Sequence, residues 1–570
     1  MRQMRSYPAA ADLEDPLYYL QNMDTLVAWV VDRHSDLLSC AERERLAAFA
    51  GLATGARALL TRLVMRTGEL FRADKLRYPE LPVPEAEALV MLQRDGWLDS
   101  DPEINPEELF RLYTLPELRA VFGPWLQQQG LPRTLTKAQL RERVAEAFPD
   151  SRSVRDWLAG GDQNGQASVV RVQDMGLFDR IRLMFFGNLR QSWTDFVLVE
   201  LGVQQFEPVP FTPESRAFQQ RAEVDAYLKM HYCREQLDEG VPAAEVWPQV
   251  PPAPDNAWLA SRRDRLLLEL GRQAERQGDR ELALAVWATS GHREARLKQL
   301  RLLERMKRFE QAWTLACEWR TGELSDAEAQ GLARLLKRLA PKVGVPAPQP
   351  PETPEIPRFT LTLQKPASGT VEWAALEHLT TDEAPVFYVE NTLINALFGL
   401  LCWPGIFRPL PGAFFHPFHI GPADLTREDF VPRRQTAFEE CFRLLRQGGY
   451  RERILETYRL KHGIANPFVI WPVLDESLLS LALDCIPPRH LERLFRRLLN
   501  NIKEHRSGFP DLIRLLPDAP DTDARYEMIE VKGPGDRLQD HQVRWLAFFA
   551  GEGMPASVCY VRWQESEVSE

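Results

Sequence analysis

Apolar side chains recur every three or four positions through the first hundred residues, in "TLVAWVVDRHSDLL", "ERERLAAFAGLATGARALLTRLVMR" and "PEAEALVMLQRDGWL". That spacing gives each segment one apolar stripe and predicts helices packed on a shared core. The stretch "TLPELRAVFGPWLQQQGLPRTLTKAQLRERVAEAF" shows the pattern twice, with Gly-Leu-Pro as a turn and Thr136 as N-cap of its second helix. Proline then dominates, in "FEPVPFTP" and "WPQVPPAPDNAW", and marks connecting structure around a helical piece between 206 and 257. Helical spacing resumes from Trp258 to about Ala340. There, "ERQGDRELALAV" from Glu275 and "ERMKRFEQAWTL" from Glu304 both put alanine at the ninth position, Ala283 and Ala312. Small residues at matched positions let paired helices approach closely. A proline-dense spacer follows, "VGVPAPQPPETPEIP" (343–357). Beyond it "DLIRLL", "RYEMIEVK" and "SVCYVRW" read as short strands, with "RLQDHQVRWLAFFAG" a helix between the second and third. The expected architecture is multidomain: a mainly α-helical N-terminal two-thirds, then a C-terminal α/β domain.

Composition narrows the setting. A chain of 570 residues has room for three or four domains, and 44% hydrophobic with 26% charged residues is an ordinary soluble mixture. No apolar run of about 20 residues is present, so no membrane span is expected. The start "MRQMRSYPAAADLEDP" is not followed by the apolar stretch of a secretory signal. Seven cysteines stand singly with no CxxC pair, which argues against a disulfide framework or a zinc site and for a reducing, intracellular location. The net charge of −11 on its own disfavours a polyanionic partner, yet nucleic-acid sites are local basic patches. Residues 293–320 hold eight Lys/Arg against four Glu, residues 489–506 six against two, and residues 131–143 four against one. Solvated helix faces often look like this, so one patch alone favours that reading; three together keep phosphate contact in view.

The sharpest feature is the strand "RYEMIEVK", which ends at Gly-Pro-Gly. Side chains alternate along a strand, so Glu530 and Lys532 share one face, about 6.5–7 Å apart, and Ile529 and Val531 take the other. The bland reading is a surface ion pair, worth little. The upstream "GFPDLIRLL" supplies Asp511 at the mouth of a second strand, and the turn-rich "PDAPDTDAR" lets the two strands pair antiparallel. Asp511 and Glu530 then lie side by side with a lysine next to them. Metal-dependent phosphodiester hydrolysis needs such a set. Hard oxygen ligands hold Mg²⁺ or Mn²⁺, and the cation acidifies water and offsets charge growing on the phosphate. The polar face of the strand would then be an active site.

"GFPDL" with "IEVKGPGD" resembles the PD-(D/E)XK nuclease pattern, through Pro510-Asp511 and Glu530-Val531-Lys532. "EVKGPGDRLQDHQ" and the terminal "YVRW" resemble its VRR-NUC branch, although Val561-Arg562-Trp563 lacks the last arginine of the name-giving triplet. Upstream, the two-helix unit "TLPELRAVFGPWLQQQGLPRTLTKAQLRERVAEAF" resembles a SAP-like DNA-binding module, with an ordinary helical hairpin as the alternative. Residues 258–340 resemble tetratricopeptide-like helix pairs, although the offset between Glu275 and Glu304 is 29 residues rather than the usual 34 or so. With "LFDRIRLMFFGNLRQSWTDFVLVELGV" and "YVENTLINALFGLLCW" added, the order is similar to that of the Fanconi-associated nuclease family.

That resemblance implies residues 1–105 as an N-terminal helical domain, 106–160 as a SAP-like module, 161–342 as a helical linker and tetratricopeptide-like domain, 343–357 as linker and 358–570 as a VRR-NUC nuclease domain. It implies a structure-selective DNA nuclease with 5′ flap endonuclease and 5′-to-3′ exonuclease activity, used in interstrand crosslink repair. The implied metal ligands are Glu390 (a helix acid), Asp511, Glu530 and the Val531 carbonyl, with Lys532 as catalytic lysine. Arg133, Lys137, Arg141 and Arg143 are the implied phosphate contacts of the SAP-like unit. Gln542 is expected beside the site, with a solvated helix position as the alternative. His505 and His541 are expected to be ordinary surface or DNA-adjacent residues rather than bases, and Asp536 and Asp540 helix N-terminal acids. Glu390 has its own alternative, as an acid at the exposed start of its helix. Arginines between Arg262 and Arg308 are candidates for a 5′-phosphate pocket. Self-association on DNA is compatible with the resemblance, and a bacterial member would work in the cytoplasm or nucleoid. The competing readings are a junction-resolving or restriction-type endonuclease, and a non-catalytic DNA-binding scaffold.

Overall fold

The computed structural model describes residues 15–132, 134–159, 169–190, 205–322, 324–347, 355–366, 368–520 and 525–564. The chain divides into two compact units, Met1–Val203 and Gln204–Glu570. Part of "LFDRIRLMFFGNLRQSWTDFVLVELGV" and part of the proline-dense spacer lie outside the described residues.

The first unit is mainly helical. The long apolar segment 42–66 is two helices, Cys40–Ala50 and Thr54–Val64. Ser39 opens the first of them with a reciprocal capping box to Glu42. Three short strands, absent from the sequence expectation, join these helices: β1 (Leu70–Arg72), β2 (Leu98–Asp99) and β5 (Val169–Val172), in the order β1-β5-β2. At two to four residues each, they are too short for an alternation of period two to register. A second small pairing joins β3 (Glu103–Ile104) to β4 (Arg152–Ser153). Between these strands lie helices Leu115–Gln128 and Lys137–Ala147, the latter capped by Thr136 as expected. Leu118, Phe122, Leu126, Leu140, Val144 and Trp157 fill the core of this module.

The second unit begins with helix pairs. Ala257–Arg276 turns into Arg280–Ala288, and Arg293–Arg305 into Phe309–Arg320. Ala283 and Ala312 are fully buried at the matched positions, so each second helix packs close to its partner. The repeat extends to the turns: Gly278 (φ +89°) and Lys307 (φ +60°), also 29 residues apart, both take the left-handed conformation that ends a helix. Glycine accepts that conformation without cost, whereas a lysine loses about 1 kcal/mol there.

The last third contains a five-stranded mixed sheet in the order β6-β10-β9-β8-β7. The strands are β6 (Arg358–Leu363), β7 (Val386–Tyr388), β8 (Leu512–Leu515), β9 (Tyr526–Lys532) and β10 (Ala556–Trp563). β6, β10 and β9 are parallel, while β8 runs antiparallel to both β9 and β7. The parallel step from β9 to β10 requires a crossover, which the helix Asp540–Gly551 provides. One sheet face presents Leu512, Ile529, Val531, Cys559 and Val561 to the helix Val371–Leu379. The other buries Ile513, Tyr526 and Met528 against Trp545, Phe549 and the large apolar cluster of helices between 393 and 502.

Lys307→Gly is expected to raise unfolding stability by about 0.5–1 kcal/mol, and Gly278→Ala to lower it by a similar amount. Urea unfolding monitored by circular dichroism measures both.

Candidate active site

Strand lengths build the site. β8 starts at Leu512, which pairs with Ile529, so residues 530–532 of β9 run on past the end of β8. On that side the Asp511 carboxylate takes over from a strand: its Oδ2 accepts the Val531 backbone N–H at 2.8 Å. β7 ends at the same edge, where Val389 donates its N–H to the Asp511 carbonyl at 2.8 Å and Glu390 follows. Gly508, at φ +90°, makes the turn that delivers Asp511. A Cβ there would stand 2.4 Å from the His541 ring, so this turn excludes any other residue.

Glu530 and Lys532 lie on one face of β9, as alternation requires, but they are not a surface pair. Glu530 is fully buried, Lys532 is 8% exposed and Asp511 7%. Lys532 Nζ sits 2.7 Å from Glu530 Oε1. Gln542, on the crossover helix, gives its amide N–H to the same oxygen at 2.5 Å. The Gln542 amide oxygen accepts from Gln539 N–H at 2.9 Å, so the orientation of the amide is fixed from behind. Glu530 Oε2 is left buried with no hydrogen-bond partner. Leaving such an oxygen dry costs free energy unless a cation or proton occupies it.

Electrostatics gives the same result. Burial first, and then the Asp511 charge, push the Glu530 carboxyl up to about 7 against the pull of Lys532. Burial likewise raises Asp511 to about 6, against the pull of the Val531 N–H and Lys532. Two acids sharing one amine in a dry site hold a proton near neutrality for want of positive charge.

The third expected ligand is placed differently. Glu390 is not on a helix: it lies in the turn between β7 and the helix Leu393–Leu401, with Asn391 at φ +52° beside it. The helix is apolar and fully buried, so the acid is kept off it in a half-buried turn. Tyr388 O–H donates to Glu390 at 2.5 Å and Asn391 Nδ2 at 3.1 Å. Glu390 still contributes to the field that raises both Asp511 and Glu530. Among the described residues no three His, Cys, Asp or Glu side chains form a ready metal cage. The arrangement is a two-carboxylate centre with Glu390 engaged beside it. Its donor set fits a hard divalent cation, since it offers carboxylate oxygens and one of them is buried and unsatisfied.

Other expected residues divide. Asp540 opens its helix and pairs with Arg334 at 2.7 Å, and Asp536 accepts the Gly533 N–H at 3.0 Å, so neither faces the carboxylate pair. His505 is not on the surface. It is 2% exposed, with Nδ1 2.6 Å from the Arg497 carbonyl and Nε2 3.5 Å from Asp326. His541 is half-buried, and burial lowers its pKa. Lys137, Arg141 and Arg143 are exposed along one helix, whereas Arg133 lies outside the described residues. The basic patches at 293–320 and 489–506 are cross-braced: Arg293 pairs with Glu428, Arg308 with Glu281, Arg496 with Glu439 and Arg497 with Asp326. Arg262, Arg265 and Arg293 border a cleft of about 1570 Å³ that Glu328, Glu428 and Glu439 also line. The sequence reading missed Tyr388 as the partner of Glu390; its signal was an aromatic two residues before the acid in "YVEN".

Comparison with known proteins places the chain among its relatives. A model of the VRR-NUC domain matches residues 445–563, which include Asp511, Glu530 and Lys532. Models of the FAN1 HTH domain and of the Fanconi anemia-associated nuclease SAP domain match residues 17–99 and 103–157. A Fanconi-associated nuclease 1 homolog of Pseudomonas aeruginosa is 46% identical over 553 residues, which are 97% of each chain. This chain belongs to the Fanconi-associated nuclease family. Crystal structures of paFAN1 bound to 5′ flap DNA with a gap, with flaps of two or one nucleotides, superpose at TM-scores of 0.81 and 0.82. Both are 46% identical to this chain and cover 98% and 97% of it, and all of their own chains. The family carries divalent-metal-dependent chemistry. Among the described residues no helix is long and apolar enough to cross a membrane.

With the folded pKa of Glu530 raised above its ordinary value, its contribution to stability is full at acid pH and is lost as pH rises through about 7. In chelator the melting temperature is therefore expected to fall between pH 5.5 and pH 8, and Glu530→Gln to lessen that fall by about 2–4 °C. Added Mn²⁺ should restore more at pH 8 than at pH 5.5, in the same thermal scans.

Proposed function

We propose that this chain hydrolyses phosphodiester bonds in branched DNA, cutting 5′ flaps endonucleolytically and trimming in the 5′-to-3′ direction, in interstrand crosslink repair. The observation that supports this most strongly is the buried pair Asp511 and Glu530 with Lys532, where β9 runs on past the end of β8. That pair belongs to a chain 46% identical to one crystallised on 5′ flap DNA. In this reading Mg²⁺ or Mn²⁺ is held by Asp511, Glu530 and the Val531 carbonyl, with Glu390 as a further ligand from its turn. The cation, when bound, supplies positive charge to the scissile phosphate and makes water more acidic.

The chain's own groups have separable tasks. Asp511 is fixed through Oδ2 by the Val531 N–H, and the Glu530 orientation is set by Lys532 and Gln542 on Oε1, which directs Oε2 into the site. Lys532 holds protons at Nζ beside the reacting phosphate, where it orients water and stabilises the transition-state charge. Gln542 is a positioning residue, because it acts through Glu530. The division into 1–105, 106–160, 161–342, the 343–357 linker and 358–570 belongs to the same proposal, as does phosphate contact by Arg133, Lys137, Arg141 and Arg143. Such contacts give shape selectivity rather than sequence selectivity.

Asp511→Ala is expected to abolish cleavage of a 5′ flap substrate in Mg²⁺ or Mn²⁺ while leaving its DNA affinity nearly unchanged. Normal cleavage by that variant would overturn the assignment. Flap, junction and linear substrates assayed together separate this activity from junction resolution, and absence of any cleavage by the wild type would favour a scaffold. Replacing Lys137, Arg141 or Arg143 by alanine should weaken binding alike across sequences. Each replacement should lower the slope of log affinity against log salt by about 1.

A further inference from the structure

Two large aromatic side chains stand in water by the Glu390 turn, next to the strand ends that carry the carboxylate pair. Trp373 is 52% exposed and Tyr388 43%, in a chain whose other tryptophans in the nuclease part are mostly covered. The rings stack with centroids 6.4 Å apart and planes 22° from parallel, so they form one shared aromatic surface. Trp373 is on the helix Val371–Leu379, and Tyr388 is the last residue of β7, in register with Leu512. Both therefore belong to the sheet face opposite Glu530, at the same edge. The Tyr388 hydroxyl reaches Glu390, and the residue after Leu512 towards the N-terminus is Asp511. The start of the Trp373 helix is equally close to the centre: a Cβ on Gly533, next to Lys532, would lie 3.6 Å from Val371.

We propose that Trp373 and Tyr388 form a stacking platform for an unpaired nucleobase of the substrate, within a nucleotide or two of the scissile phosphate. This deepens the nuclease reading and rests on it. An exposed aromatic pair offers a flat face on which a base can stack, and every base has such a face whatever its sequence. Charge selects which part of a nucleotide docks here. Glu372, Glu390 and Asp511 surround the platform closely enough to act on the Tyr388 hydroxyl, so a phosphate laid on the rings would be repelled. A base stacks there and leaves its phosphate to the cation and Lys532. Bases inside a duplex have both faces occupied, so the platform favours the single-stranded side of a junction. It would thereby couple the shape preference to the chemistry. Trp373 is a binding residue in this account; Tyr388 is both platform and positioning residue, through its hydrogen bond to Glu390.

The test compares 5′ flap substrates carrying natural nucleotides with substrates carrying a single tetrahydrofuran abasic unit at each position flanking the cut. Trp373→Ala is expected to raise KM about tenfold on the natural substrate and to have almost no effect where the critical base is already absent. Tyr388→Phe, which keeps the ring, should retain the discrimination between natural and abasic substrate. 2-Aminopurine at the critical position should be quenched by wild-type protein in chelator, without cleavage, and not by Trp373→Ala. Equal losses on natural and abasic substrates, no loss at all, or unquenched 2-aminopurine would each overturn the platform. The chelator measurement reads stacking directly, so a platform failure shows there while cleavage persists. Failure of the nuclease reading shows as no cleavage by wild type in Mn²⁺.

Discussion

Two carboxylates, Asp511 and Glu530, are held side by side out of water with one ammonium, Lys532, 2.7 Å from Glu530. Like charges so placed repel, and burial penalises both, which is why their carboxyls hold protons far above the ordinary range. No structural need is met by this; well-packed apolar residues would be more stable in the same place. The surrounding fold therefore has to enforce the arrangement, and much of the last third does so. β8 begins only at Leu512, which leaves Asp511 free to reach across to the Val531 N–H. The crossover helix carries Gln542 to Glu530 Oε1 and turns the other oxygen inward.

The helices outside the sheet take part in this enforcement. Asp540, two residues before Gln542, is gripped by both terminal nitrogens of Arg334 on the helix Asp326–Leu339. Arg544, one half-turn on, donates to Gln330 of the same helix, and Arg497 ties Asp326 to the buried His505 region. The last helix of the repeat segment thus braces the helix that orients Glu530. Exposed ion pairs of this kind contribute little to stability individually, and their role here is to fix position.

Much of this was legible in the sequence, and the misses have physical causes. Period-two alternation revealed β9, and Gly-Phe-Pro before Asp511 revealed the mouth of β8, so the pairing of Asp511 with Glu530 followed from local chemistry. The matched alanines at 283 and 312 identified the helix pairs, and the structure extends the repeat to the turns at Gly278 and Lys307. The strands of the first unit were invisible because two to four residues carry no period. Glu390 was placed on the helix because "LINALFGLLCW" is continuous in sequence, whereas burying that helix on every side requires the acid to stop short of it. His505, expected at the surface or beside DNA, is buried with Nδ1 on the Arg497 carbonyl and Nε2 3.5 Å from Asp326, a residue far away in sequence whose proximity no local pattern encodes.

The most direct test is anomalous diffraction from crystals of the protein soaked in Mn²⁺ at pH 8. The account predicts a peak at coordinating distance, about 2–2.5 Å, from carboxylate oxygens of both Glu530 and Asp511. Manganese bound only elsewhere, with both carboxylates still protonated or paired to Lys532 alone, would contradict it.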